Sequence, residues 1–106
     1  MTETPLRTTI KQIYRQPQDY YGKKVFLSGW IRSNRDSKSF GFIELNDGSF
    51  FKNLQIVYTE ENLDNFKEVV KLGIGSAVLA EGIVVETPNA KQPFEVKAES
   101  VRVEGL

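Results

Sequence analysis

Phe40, Phe42 and Glu44 fall two residues apart in the segment SFGFIEL. A strand alternates its side chains between two faces, so these three share one face while Ile43 and Leu45 take the other. Asn53, Gln55 and Val57 repeat the spacing in KNLQIVY, and an antiparallel pairing of the two segments sets the aromatics beside the amides. An exposed ring is a flat platform for an unpaired base, and a glutamine amide offers both a donor and an acceptor to a base edge. Stacking contributes about 1–3 kcal/mol per base, so cations must add phosphate contacts; Arg32, Arg35, Lys38 and Lys52 flank the two segments. Each residue also has a plainer reading. Phe40 and Trp30 would pack against a loop or, for Phe40, the N-terminal helix; Gln55 would be solvated; Arg35 would pair with Asp36 or Glu44. Lys91 and Gln92 would be a polar turn, and Glu95 a solvated strand residue.

Composition narrows the chemistry. The 106 residues are 40% hydrophobic, enough for one compact domain with one core. There is no long apolar run for a membrane span and no basic-then-apolar leader, so the expectation is a cytoplasmic protein that contacts no membrane. With no cysteine and no histidine, disulfides, thiol or imidazole nucleophiles and the usual zinc sites are excluded. The formal net charge is zero, but residues 1–58 hold nine basic and five acidic side chains, a bias that fits a basic binding face and an acidic back.

The elements that must position these residues read as follows. TTIKQIYRQ is a short helix, with Ile10, Ile13 and Tyr14 on one side, a threonine cap and Pro17 as its stop. KKVFLSGWIRSN alternates as a long strand, with Gly29 marking a bend, bulge or close approach. A loop RDSKS leads to the SFGFIEL strand, NDGS signals a tight hairpin, and KNLQIVY returns with Leu54, Ile56 and Tyr58 inward. TEENLDNFKEVVKLGIG reads as a long amphipathic helix capped by Thr59 and stopped at Gly73. SAVLAEGIVVE and FEVKAESVRVEG are two further strands around the turn TPNAKQP.

Three strands, a helix and two strands match an all-β, five-stranded Greek-key OB barrel, with a helix between the third and fourth strands and a short N-terminal helix in front. An SH3-like barrel places that helix less well. Residues 1–22 form an N-terminal extension and 23–106 the barrel. In this fold the face around the second and third strands binds oligonucleotides. Nothing beside the glutamates signals an active-site pocket, a nucleophile elbow or a phosphate loop, so no catalysis is expected of this chain.

The segment VFLSGWIRSNRDSKSFGFIELNDGSFFKNLQIVY, with GW-I-R-x-x-R-D, FGFIEL and NLQIV, closely resembles the N-terminal anticodon-binding domain of bacterial-type asparaginyl-tRNA synthetases, and the likeness continues through TPNAKQPFEVKAESVRVEG. The resemblance implies that Phe42 stacks on the central uridine of the anticodon, that Gln55 hydrogen-bonds that base and that Arg35 approaches it. It further implies that Glu95 lies near the neighbouring anticodon bases and that Lys91 and Gln92 form a second contact region. The partner it implies is the anticodon loop of tRNA(Asn). ATP and magnesium belong to the family's catalytic domain, whose motifs are absent here, and an excised, monomeric domain of a dimeric parent is the expectation. A sequence-neutral single-strand binder and a protein-interaction module are the rival readings.

Overall fold

The computed structural model describes residues 8–88 and 92–105. Five strands, β1 (Lys24–Ser37), β2 (Phe40–Asn46), β3 (Leu54–Thr59), β4 (Ala77–Glu86) and β5 (Phe94–Gly105), close into a barrel in the order β1-β2-β3-β5-β4. All contacts between neighbours are antiparallel except β3 with β5, which run parallel. This is the expected OB barrel. Alternate residues point inward, among them Leu27, Ile43, Ile56 and Val84, each fully buried.

Helix α1 (Ile10–Arg15) closes one region of the core with Ile10 and Ile13, both fully buried. Thr9 caps it, accepting from the Gln12 amide while Gln12 Oε1 accepts from the Thr9 amide, a reciprocal capping box. Pro17 then opens a 3₁₀ turn, Pro17–Asp19, which ends the helix.

Three local expectations are corrected. The loop RDSKS does not exist as such, because β1 continues to Ser37 and only Lys38 and Ser39 turn the hairpin, with Lys38 at φ 48°. NDGS turns the chain, but not as a tight hairpin: residues 47–53 separate β2 from β3. The reason lies in α1, whose Ile10 and Lys11 amides donate to Asp47 Oδ2 and Ser49 Oγ at 2.9 and 3.1 Å. The connection is lengthened to satisfy a helix end.

The third correction concerns the long helix, which is a single turn, α2 (Phe66–Val69). Its buried residues Phe66 and Val69 are flanked by the buried Leu63 and Leu72, a spacing of three throughout, which suits 3₁₀ turns better than a 3.6-residue period. The backbone is mixed: the amides of Val69 and Val70 bond four residues back and make the one α-helical turn, while those of Phe66, Glu68, Lys71 and Leu72 bond three back. Thr59 caps no helix; its hydroxyl accepts from the Asn62 amide in a local turn. Asn34 anchors the segment from inside the barrel by donating Nδ2 to the carbonyls of Val69 and Leu72 at 2.9 and 3.0 Å.

Gly29 and Gly82 behave as close-approach positions. A Cβ on either would collide with a backbone carbonyl of the adjoining strand, Asn46 or Lys97, so neither tolerates a side chain where the sheet curls most tightly.

Candidate nucleic-acid interface

The outer face of β1, β2, β3 and β5 carries the candidate residues in two cross-strand rows. In one row Arg35 pairs with Phe42, Phe42 with Val57, and Val57 with Lys97; in the other Ser33 pairs with Glu44 and Glu44 with Gln55. Gln55 reaches β5 through its side chain, donating Nε2 to Glu95 Oε1 at 3.3 Å.

Arg35 reaches this face because of an irregularity in β1. Val25, Leu27, Gly29 and Ile31 are buried in strict alternation, which continued would turn Arg35 into the core. The register shifts between Ile31 and Ser33, so Arg32 is the extra residue of a bulge and the parity reverses. Ser33 and Arg35 thereby join the outer face and Asn34 turns inward.

A cleft of about 490 Å³ opens on these rows, with Arg35, Glu44, Gln55, Gln92, Phe94 and Glu95 in its wall. Phe42 is not in that wall but lies half-buried directly opposite Arg35, which is. The Phe42 ring is held edge-on by Phe40, with centroids 5.4 Å apart and planes at 87°. Phe40 therefore packs on Phe42 from an exposed position of its own at 38% accessibility, and not beneath the N-terminal helix. Beyond it a further cleft is lined by Val57, Glu61 and Lys97, among others.

The structure thus brings Arg35, Phe42, Gln55, Gln92 and Glu95 together. Lys52 lies in an adjoining cleft, Lys38 at the exposed tip of the β1–β2 hairpin and Arg32 on the bulge, and Lys91 falls outside the described residues. Arg35 does not pair with Asp36 or Glu44: among the described residues the ion pairs are those of Lys24 with Glu81 and Glu99, at 3.2 and 3.0 Å. Among the described residues its guanidinium makes no ion pair. No group of three or more potential metal-ligating side chains occurs among the described residues.

Four side chains, Glu44, Tyr14, Lys97 and Phe51, were given no binding role by the sequence reading. Glu44 accepts from Asn53 Nδ2 at 3.4 Å and stands between the two clefts. Burial first, and then the Glu44 charge, raise the Tyr14 hydroxyl above its ordinary pKa, so that hydroxyl stays protonated and donates to the Asn53 carbonyl at 2.8 Å. Lys97 adds a cation beside Val57, a position that its alternation with Glu95 in FEVKAES could have disclosed. The last is Phe51, 81% exposed in the β2–β3 connection, where no periodicity applies.

A closed five-stranded barrel with an aromatic, an amide and an unpaired guanidinium on its β1–β3 face defines a small nucleic-acid-binding module. The chain belongs to the OB-fold nucleic acid binding domain family, whose model matches residues 25–104. It is 62% identical over 98 residues to an asparagine–tRNA ligase of Acetivibrio thermocellus, covering 92% of this chain and 21% of that protein. An asparagine–tRNA ligase of Bacillus cereus is 61% identical over 99 residues, covering 93% and 21%. The crystal structure of asparaginyl-tRNA synthetase from Pyrococcus horikoshii complexed with asparaginyl-adenylate superposes with a TM-score of 0.82 at 27% identity, covering 96% of this chain and 23% of that one. The resemblance carried by GWIRSNRD, FGFIEL and NLQIV is borne out. The chain spans about a fifth of the length of the curated relatives it matches.

Proposed function

We propose that this chain is the anticodon-binding module of an asparagine–tRNA ligase, whose remaining portion would attach asparagine to tRNA(Asn) with ATP and magnesium in a homodimeric, cytoplasmic enzyme. The observation that carries the reading is the cross-strand placement of Arg35, Phe42 and Gln55 on one outer face, together with the high identity to asparagine–tRNA ligases.

Phe42 offers its ring to the central uridine of the anticodon. Gln55 then reads the base. A carboxylate can only accept, so Glu95 fixes the NH₂ end of Gln55 toward itself and leaves Oε1 as the acceptor for the uridine N3–H. Cytosine presents an acceptor at N3 and is rejected by the same oxygen. Arg35, opposite Phe42, brings its guanidinium to the same base or the adjoining phosphate, and Arg32, Lys38, Lys52 and Lys91 supply charge around the rim. Glu95 and Gln92 line the same cleft, on the side where the neighbouring anticodon bases would lie.

The test is a titration of the chain with an asparagine anticodon stem-loop, a stem-loop with the central base replaced by cytosine, and an unstructured oligonucleotide of equal length. Tightest binding to the first supports anticodon recognition. Equal affinity for all three with a steep salt slope describes a sequence-neutral binder, and no binding to any leaves a protein-interaction module.

A further inference from the structure

The β2–β3 connection presents a second aromatic surface outside the cleft that holds Gln55. Phe51 is 81% exposed, yet it is backed by a chain of rings leading into the core. Its centroid lies 4.6 Å from that of Phe50, Phe50 lies 5.0 Å from Tyr14, and Tyr14 lies 4.8 Å from the buried Phe94. The connection is itself pinned, with Asn46 Nδ2 donating to Asn53 Oδ1 at 2.9 Å and Asp47 and Ser49 holding the start of α1. Single exposed rings are common on protein surfaces; this one is distinguished by being supported from behind by other rings and left bare in front.

A cation faces the same space, and an unused acceptor is buried at its border. Lys52 Nζ stands 5.8 Å from the ring centroids of both Tyr14 and Phe51. A cleft of about 380 Å³ extends from Phe51 and Lys52 to Gln92. Glu44 and Gln92 line this cleft and the 490 Å³ cleft alike, so the two are contiguous. At their junction the Gln92 Oε1 atom is buried and has no hydrogen-bond partner among the described residues. A buried acceptor without a donor is destabilising, and a turn of the Gln92 side chain toward the cleft it lines would bring that oxygen to an amino or imino group on a base edge.

We propose that the Phe51 cleft is a second nucleotide subsite, which takes a base flanking the one at Phe42: the base stacks on Phe51, donates to Gln92 Oε1, and has its phosphate met by Lys52. This rests on the anticodon-loop reading and extends it from one base to two. The Glu44 carboxylate between the clefts favours base edges bearing donors and keeps phosphates to the Lys52 side. A protein partner is the rival occupant, and it predicts no response to changes in the RNA.

The experiment measures affinity of the 106-residue chain for a fluorescent anticodon stem-loop, using wild type, Phe42→Ala, Phe51→Ala and Phe51→Trp. The loops are intact or carry one abasic site, at the central position or at either flank. Phe51→Ala should weaken the intact loop about fivefold or more, and Phe51→Trp should restore binding, as stacking requires. An abasic site at one flank should weaken wild type yet add nothing to Phe51→Ala, while an abasic central position should cancel the effect of Phe42→Ala alone. If Phe42→Ala weakens binding and Phe51→Ala stays within twofold of wild type, the second subsite is wrong and the first stands. A Phe51→Ala loss that persists at every abasic position also overturns it. Should Phe42→Ala be silent too, the anticodon reading itself fails and this inference with it.

Discussion

Gln55 and Glu95 are joined across the parallel contact of β3 and β5, Nε2 to Oε1 at 3.3 Å. The carboxylate decides which end of the amide is free. Glu95→Gln keeps the size but can donate as well as accept, so either end of Gln55 would then satisfy it. The variant should bind a uridine-centred stem-loop nearly as well as wild type but lose about threefold to tenfold of its preference over cytosine, the scale of one hydrogen bond. A competition titration with the two loops measures the ratio, and an unchanged ratio would remove Glu95 from the reading of the base.

Gly41 lies directly across from Tyr58, one residue before Phe42. A Cβ there would overlap the Tyr58 ring, which is fully buried and donates its hydroxyl to Asn34 Oδ1 at 2.7 Å. Gly41→Ala must displace that ring and strain a bond on which the α2 segment also depends through Asn34. We expect a loss of about 2–4 kcal/mol, the cost of overpacking plus a weakened buried hydrogen bond. Urea denaturation checks it through a lowered midpoint with an unchanged m-value.

Burial, and after it the Asp36 charge, push the Tyr58 hydroxyl up to about 12 from 10.0. Unfolded tyrosine ionises near 10, so the unfolded chain releases this proton first as pH rises. The stabilisation is complete below pH 10 and is lost between there and about pH 12. Tyr14 shifts in the same direction but is common to wild type and Tyr58→Phe, so their difference reports Tyr58. Stability measured from pH 9 to 12 should fall more steeply in wild type than in Tyr58→Phe, despite the lost hydroxyl bond lowering the variant at every pH. Parallel curves would mean that Tyr58 ionises as freely in the fold as outside it.

The barrel was legible because its strands alternate cleanly: Leu54, Ile56 and Tyr58 turn inward as their spacing predicts, and Phe42, Glu44 and Gln55 share a face for the same reason. Arg35 was legible as a flanking cation, but its approach to the base came only from the family resemblance. Its face depends on the bulge between Ile31 and Ser33, a property of strand pairing that no periodicity in β1 encodes. The α2 segment misled because Leu63, Phe66 and Val70 also fit a helical stripe, whereas the buried set replaces Val70 with Val69 and Leu72. Asn65 adds to the departure from a regular helix by donating to the Val101 carbonyl and to Glu68, a local competition that shortens helices. Phe51 carried no signal, since a residue in a connection gains its place from the rings behind it.

The most direct test of the central claim compares wild type, Phe42→Ala and Gln55→Ala in binding to uridine-centred and cytosine-centred anticodon stem-loops. Both side chains are only partly buried on the outer face, so both variants should fold. Phe42→Ala should weaken both loops alike, by about 1–3 kcal/mol, whereas Gln55→Ala should weaken the uridine loop alone and bring the two affinities together. Unchanged affinity in Phe42→Ala, or equal losses for both loops in Gln55→Ala, would contradict a ring that stacks and an amide that reads.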